Sequence, residues 1–443
     1  AMIHRVTPFV LLAAFLMAWL APAGARAGER QDAPEGEGSE TQTPADEPKS
    51  QDEPKSQDEP PDIPREDLRE KDLILTGSDL VDDDFPGSWP MFGQNTRIKV
   101  GGYLQANYLY DFDGSLDRKQ FLMSTIPVEG TPEYDYSGYS TFFAADSRVN
   151  VDVRRIGKDK PPLRVFMEGD FWPTGSSFRL RHAYVVFGDF LAGQTWTTLS
   201  VLEAMVIMID FAAGDALFGG RTAQFRYQTH LGERWKLALG IENLDFMGIE
   251  NSDNLPGLPS QGVPLVAARA DYTWDGGLFV VGSSVGQLRW DGGADGPDAS
   301  ALQWAALVAG RQYLGRDFFT WHVSYGHGSG ENVMAFAGSD ANAVLTPDGR
   351  LETIPAFAFV VGFHHKWSDH LSSSLSYAYG WLETPETRDP LKLKKGGIGH
   401  ANLVWQAGEH FSTGIEYMYG AQRTSNDSLG QASRVQGMVK MEF

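Results

Sequence analysis

The chain of 443 residues contains no cysteine. Behind an export signal, that absence excludes disulfide staples, thiolate metal sites and a cysteine nucleophile. There is also no hydrophobic run long enough for a membrane-spanning helix. The segment Val201 to Phe211 comes nearest, but it is short and carries Glu203 and Asp210. Positive charge is scarce as well: 37 Lys and Arg stand against 58 Asp and Glu, a formal charge of -21. The deficit is uneven, since residues 28–90 alone hold 20 acids against 6 bases. Nucleic acid is therefore not an expected partner.

What is present starts with the three parts of a secretory signal. His4 and Arg5 form a basic region, Phe9 to Leu20 an apolar one, and Ala25-Arg26-Ala27 a small-x-small cleavage site. Residues 1–27 are read as a signal peptide. Residues 28–84 follow as an acidic, Pro-rich periplasmic arm, in which Lys49-Ser50-Gln51-Asp52-Glu53-Pro54 recurs at once as Lys55-Ser56-Gln57-Asp58-Glu59-Pro60. Like charges and prolines deny such a segment a packed core, so it reads as mostly disordered, with a short helix possible over 65–75.

From Arg97 onward the pattern changes to period two. Val149, Val151 and Val153 alternate with Arg148, Asn150, Asp152 and Arg154, and Leu371, Leu375, Tyr377, Tyr379 and Trp381 make an apolar row. The rows end in aromatics at Tyr108, Tyr110, Trp274, Trp290 and Trp381, which suits interface girdles around a membrane barrel. The chain finishes on an alternating strand closed by Phe443. Sixteen strands are expected between 98–112 and 432–443. The long connectors 113–141, 244–263, 291–300, 328–352, 382–395 and 421–431 are read as external loops, and the short 156–162, 230–233 and 368–370 as periplasmic turns. Residues 85–443 thus read as an all-β, sixteen-stranded antiparallel transmembrane β-barrel in the bacterial outer membrane, facing lipid and lipopolysaccharide.

The alternation puts Lys99, Arg148, Arg154, Arg164, Arg179, Arg181 and Arg226 on the inner face, a ladder able to grip anions through planar guanidinium groups. Asp146, Asp152, Glu168 and Asp170 are available there to pair with it. The segment Thr197 to Gly220 is too long for a periplasmic turn and too apolar for an exposed loop. It reads as an inward constriction loop whose Glu203, Asp210 and Asp215 face the arginines. No catalytic residue, cofactor or metal is expected. His364 and His365 are adjacent and point to opposite faces of a strand, and Asp111-Phe112-Asp113-Gly114 lacks the further ligands of a calcium loop. A barrel enzyme would need an outward His such as His182, but no Ser partner is evident from spacing. A structural anchor acting through its acidic arm is a further alternative.

Ser88-Trp89-Pro90-Met91-Phe92-Gly93, Lys99-Val100-Gly101-Gly102-Tyr103, Phe121 to Gly130, Arg179-Leu180-Arg181-His182-Ala183-Tyr184 and Ala192-Gly193-Gln194-Thr195-Trp196 resemble the DcaP-like outer-membrane porin family. The resemblance is strongest over residues 85–230. It implies a sixteen-stranded homotrimeric porin with a constricted lumen, not an enzyme, that passes small anionic solutes such as dicarboxylates. A general or carbohydrate-preferring porin is the alternative within transport, with Tyr103 as a candidate aromatic lumen residue. Family members can also carry an N-terminal coiled coil; residues 28–64 show no heptads.

Overall fold

The computed structural model describes residues 85–91, 95–156, 161–212, 214–245 and 247–443. The expected signal peptide, acidic arm and 65–75 helix lie outside them. Nineteen hydrogen-bonded segments form one sheet. Two of them make a single interrupted strand, and two short pieces, Trp89–Pro90 and Leu258–Ser260, are additions at the rims, which leaves sixteen barrel strands. These are β1 (Thr96–Asp111), β2 (Tyr139–Phe143 and Arg148–Arg155), β3 (Leu163–Asp170), β4 (Arg179–Phe187), β5 (Phe190–Trp196), β6 (Arg221–Leu231), β7 (Trp235–Glu242) and β8 (Leu265–Trp274). They continue with β9 (Gly277–Asp291), β10 (Ala299–Leu314), β11 (Asp317–His327), β12 (Pro355–Lys366), β13 (Leu371–Leu382), β14 (Leu393–Gln406), β15 (Phe411–Thr424) and β16 (Leu429–Glu442).

Each strand pairs antiparallel with its sequence neighbours. β16 closes on β1, from Tyr103↔Glu442 to Asp111↔Arg434, so the sheet has no free edge. The alternation read from sequence sets the faces. Leu104, Leu239, Leu375, Ile415 and Val439 are exposed on the outside, while Asn107, Arg434 and Gln436 are buried inside. Aromatic pairs band the outer surface, among them Phe190 with Tyr227 and Trp235 with Tyr272. Trp290 departs from the expected outward row. It is buried, and its Nε1 donates to Pro256 O at 3.0 Å. The short periplasmic turns carry glycines at positive φ, as at Gly188 (58°) and Gly315 (69°), where a side chain would be strained.

The wall is uneven in height. β3, β4, β5 and β7 have 8, 9, 7 and 8 residues, whereas β9 and β10 have 15 and 16 and β14 to β16 have 14 each. A tilted strand needs about 9–11 residues to cross a bilayer.

Part of the interior is a packed core. The inner row of β10 (Ala305, Leu307, Ala309) and of β12 (Ala356, Ala358, Val360) meets Leu199, Val201 and Phe218 of the 197–220 loop. Val333 and Phe336 come from the connector between β11 and β12, and Phe121, Met123 and Ile126 from the one between β1 and β2. Two connectors expected to be external and polar therefore send apolar segments down into the lumen. The reason is packing. Small residues on the inner wall leave volume that only inserted loops can fill, and large buried apolar side chains supply the driving force.

A channel constriction between an arginine strip and an inward loop

The inner faces of β2, β3 and β4 carry a strip in which basic and acidic side chains alternate across neighbouring strands. Arg154 and Arg164 both bind Asp152, with Nη2–Oδ2 distances of 2.8 and 2.9 Å. Arg148 lies 3.6 Å from Glu168. Arg181 reaches Glu168 at 3.1 Å and Asp170 at 3.0 Å, and Arg179 forks onto Asp170 at 2.6 and 2.9 Å. The expected arginines thus sit together, braced by the same acids that sequence made available. Two members stand apart. Lys99 lies near the periplasmic rim, beside a second cavity of about 310 Å³ that Arg154, Arg164 and Phe85 also line. Arg226 is buried on β6, donating to Trp196 O and Gln224 Oε1.

One phase error in the alternation has a local cause. Pairing between β3 and β4 steps from Glu168↔His182 to Gly169↔Leu180, so Arg181 is an extra, bulged residue. Arg181 and His182 consequently both point inward. His182 is buried with Nδ1 at 2.9 Å from Thr195 Oγ1, rather than outward as a barrel enzyme would require.

The 197–220 loop folds inside the barrel, and its three acids do different things. Glu203 pairs with Arg269 of β8 at 3.2 Å. Burial would push its carboxyl up, but the Arg269 guanidinium outweighs that and holds it below the usual value. Asp210 accepts backbone N–H groups from Phe121 (3.1 Å) and Ala212 (3.0 Å). Burial pushes its carboxyl well above the usual range, aided by the nearby Glu416 and Asp215 and opposed by His400. Asp215 does not face the arginine strip. It turns to the opposite wall and meets His400 Nε2 at 2.9 Å, and burial raises its carboxyl too. His400 Nδ1 lies 3.0 Å from Glu416, whose carboxylate also accepts the N–H of Ile209 (2.7 Å) and of Asp210 (3.2 Å). The loop is pinned to β14 and β15 by this buried cluster. The other histidines noted above have local partners: His364 faces Ser374, and His365 faces Asp317.

Between strip and loop lies a cavity of about 470 Å³. Its lining includes five arginines (Arg148, Arg179, Arg181, Arg221, Arg311) and three acids (Glu203, Asp210, Glu331). Trp172 and Phe211, stacked at 4.0 Å, add an aromatic face. Arg221, Arg311 and Glu331 were not singled out from sequence. Arg311 carried a signal, since it falls on the inner phase of β10. It donates from Nη2 to Met205 O at 3.0 Å and rests on Phe318, while its buried Nε and Nη1 have no hydrogen-bond partner among the described residues. Nothing local to Glu331 marks its connector as one that folds inward. Tyr103 is inward and buried, under the Arg148 guanidinium.

A closed antiparallel barrel with an apolar outer surface and a charged, narrowed interior defines a channel of the bacterial outer membrane. The family model for the DcaP outer membrane protein matches residues 70–443, and the chain belongs to that family. Among solved structures, it is similar to the outer membrane channel DcaP of Acinetobacter baumannii, at 20% identity and a TM-score of 0.68 over 79% of this chain and 98% of that one. It is also similar in fold to OmpT of Vibrio cholerae (14% identity, TM-score 0.50, 80% of this chain and 99% of that one). The same holds for Salmonella typhi OmpF, solved with daunomycin (10% identity, TM-score 0.50, 79% and 98%). No curated protein sequence matches the chain.

Proposed function

We propose that the protein is a passive outer-membrane channel preferring small anionic solutes of the dicarboxylate type, and that it works as a homotrimer. One observation carries the selectivity: five arginines against three acids line the cavity, and the acids, like Arg148, Arg179 and Arg181, already have partners. Glu203 is held by Arg269, Asp210 by two backbone N–H groups, and Glu331 by those of Gly338 and Ala341. Arg148, Arg179 and Arg181 would meet a passing carboxylate on one side and Arg311 on the other, giving a weak and reversible grip. Lys99, Arg154 and Arg164 would extend the positive path to the periplasmic side. The homotrimer is supported by Vibrio cholerae OmpT, which is described in a trimer form.

The test is the reversal potential across a planar bilayer under a salt gradient. Anion preference is expected, and cation preference overturns the reading. A carbohydrate-preferring porin is favoured by the Trp172–Phe211 stack. Liposome swelling with a neutral sugar faster than with a dicarboxylate of similar size would select that alternative.

A further inference from the structure

The chain ahead of β1 turns into the periplasmic mouth. β16 accompanies β1 only as far as Tyr103, and below it Trp89 and Pro90 pair with Ile98 and Arg97 on the vacated edge. Arg97 and Lys99 share the inner phase of β1 with Tyr103. Running back from Trp89, Ser88 is buried and accepts the Arg97 guanidinium at 2.6 Å, through both Oγ and its carbonyl. A Cβ on Gly87 would meet Lys99 Cε at 3.7 Å. Phe85 then lies buried with its ring 4.3 Å from the Arg154 guanidinium of β2. Between Trp89 and Phe85 the chain thus crosses the inner face of β1. Phe85 becomes part of the lining of the 310 Å³ cavity, with Arg164 and Phe166 of β3.

The sequence attaches charge at this point, because Asp82-Asp83-Asp84 directly precedes Phe85. Successive Cα atoms are about 3.8 Å apart, and three extended residues reach at most about 11 Å. The triplet is therefore tied to the neighbourhood of Arg154. Arg164 pairs across from Arg154, and Lys99 across from Asp152. Charge in the cavity is divided by side. On β1 to β3, Lys99, Arg154 and Arg164 stand against Asp152 alone, which both arginines already bind. The other acids, Glu409 and Glu442, come from the turn before β15 and from β16, and Glu442 is paired with Lys440. An acidic segment entering beside Phe85 meets the basic side first. Among the described residues, Lys99 has no ion-pair or hydrogen-bond partner.

Resting on the anion-channel reading above, we propose that Asp82, Asp83 and Asp84 dock in this cavity and compete with the solute for the periplasmic exit. Neighbouring aspartates offer paired carboxylates, the same chemistry the channel is proposed to carry, and guanidinium and ammonium groups bind them in the same way. A short tether supplies its ligand at an effective concentration in the millimolar range. An exit site that grips carboxylates with millimolar strength is then filled by the chain itself about half of the time. The solute leaves by displacing the triplet.

The absence of cysteine allows a direct test in the full chain. Spin labels are placed at Ser78→Cys, ahead of the triplet, and at Ser368→Cys, exposed on the turn between β12 and β13. A narrow distance distribution is expected in about 0.1 M salt, broadening in about 1 M salt, where the screening length is about 3 Å. It should broaden equally with Asp82→Asn, Asp83→Asn and Asp84→Asn combined. Lys99→Gln should broaden it from the barrel side, so the result does not hang on the arm variant. A distribution that none of these changes alters overturns the docking. The second readout is single-channel conductance in about 0.1 M chloride, expected to rise about twofold in the triple variant if the site is half filled. Altered distances without that rise overturn the competition and leave the docking. A rise with unaltered distances marks repulsion at a distance and overturns the docking. Neither readout measures ion preference, so a cation-selective reversal potential would sink the anion reading separately.

Discussion

Replacing Arg179 and Arg181 by glutamine should largely remove the anion preference of the conduit. Both guanidinium groups line the cavity, and their loss takes its lining from five arginines against three acids to three against three. A unit charge about 5 Å from a solute in water is worth about 0.8 kcal/mol, or roughly fourfold in local anion concentration. Two such charges give roughly 15-fold. Asp170 adds to the effect, because Arg179 and Arg181 are its ion-pair partners and it is fully buried. An acid stripped of its cations can cost about 3–5 kcal/mol in stability, so the informative variant adds Asp170→Asn. The assay is the anion-to-cation permeability ratio from reversal potentials, taken near 0.1 M salt, where the screening length is about 10 Å. The triple variant loses two positive charges and one negative, a net of one, so a fall of about fourfold is expected. A ratio unchanged within a factor of two, in protein that still migrates as a folded barrel, would falsify a selectivity role for these residues.

Arg311→Gln should lower the same ratio about fourfold by the same arithmetic, with little change in single-channel conductance. Glu416→Ala removes the acceptor that holds Ile209 N, Asp210 N and His400, so it should loosen the inward loop; larger and noisier single-channel currents are the readout. A side chain at Gly362 would approach Val206 of the loop at 2.7 Å, so Gly362→Val should push the loop into the conduit and reduce conductance in bilayer recordings. Burial holds the Asp210 carboxyl above its usual value of 3.8, so the native state keeps this proton longer than the unfolded chain. Its contribution is therefore favourable at low pH and is lost as pH rises through the raised value. The stability of the wild type relative to Asp210→Asn should fall as pH rises above 3.8, as read by the temperature at which the folded band disappears on a gel.

The barrel was legible because a strand alternates with period two and lipid demands a continuous apolar row, as the Leu371–Trp381 segment shows. The interior was less so. Ala305, Leu307 and Ala309 alternate with the outward Leu302, Ala306 and Val308, so the middle of β10, between Gln303 and Arg311, is apolar on both faces and carries no contrast to read. The inserted segments around Phe121 and Phe336 resemble ordinary loop sequence, because what draws them inward is volume on strands far away in the chain. His182 was misplaced by a single bulged residue, since one extra residue inverts every later side chain on that stretch and leaves no compositional trace. Asp215 lay in the expected loop, but its orientation is set by His400, 185 residues away.

The greasy inner wall has a consequence for biogenesis. Strands β10 and β12 have to travel to the membrane with both faces largely water-averse, and lipid can shelter only one of them. The other is covered by a loop whose anchors on β14 and β15 are made about 200 residues later, as with Asp210 N and Glu416. Insertion and interior packing must therefore finish together, and a half-inserted intermediate would display a sticky inner surface to the periplasm. The chain's dependence on escort by holding chaperones should track that inner surface as much as the lipid-facing one.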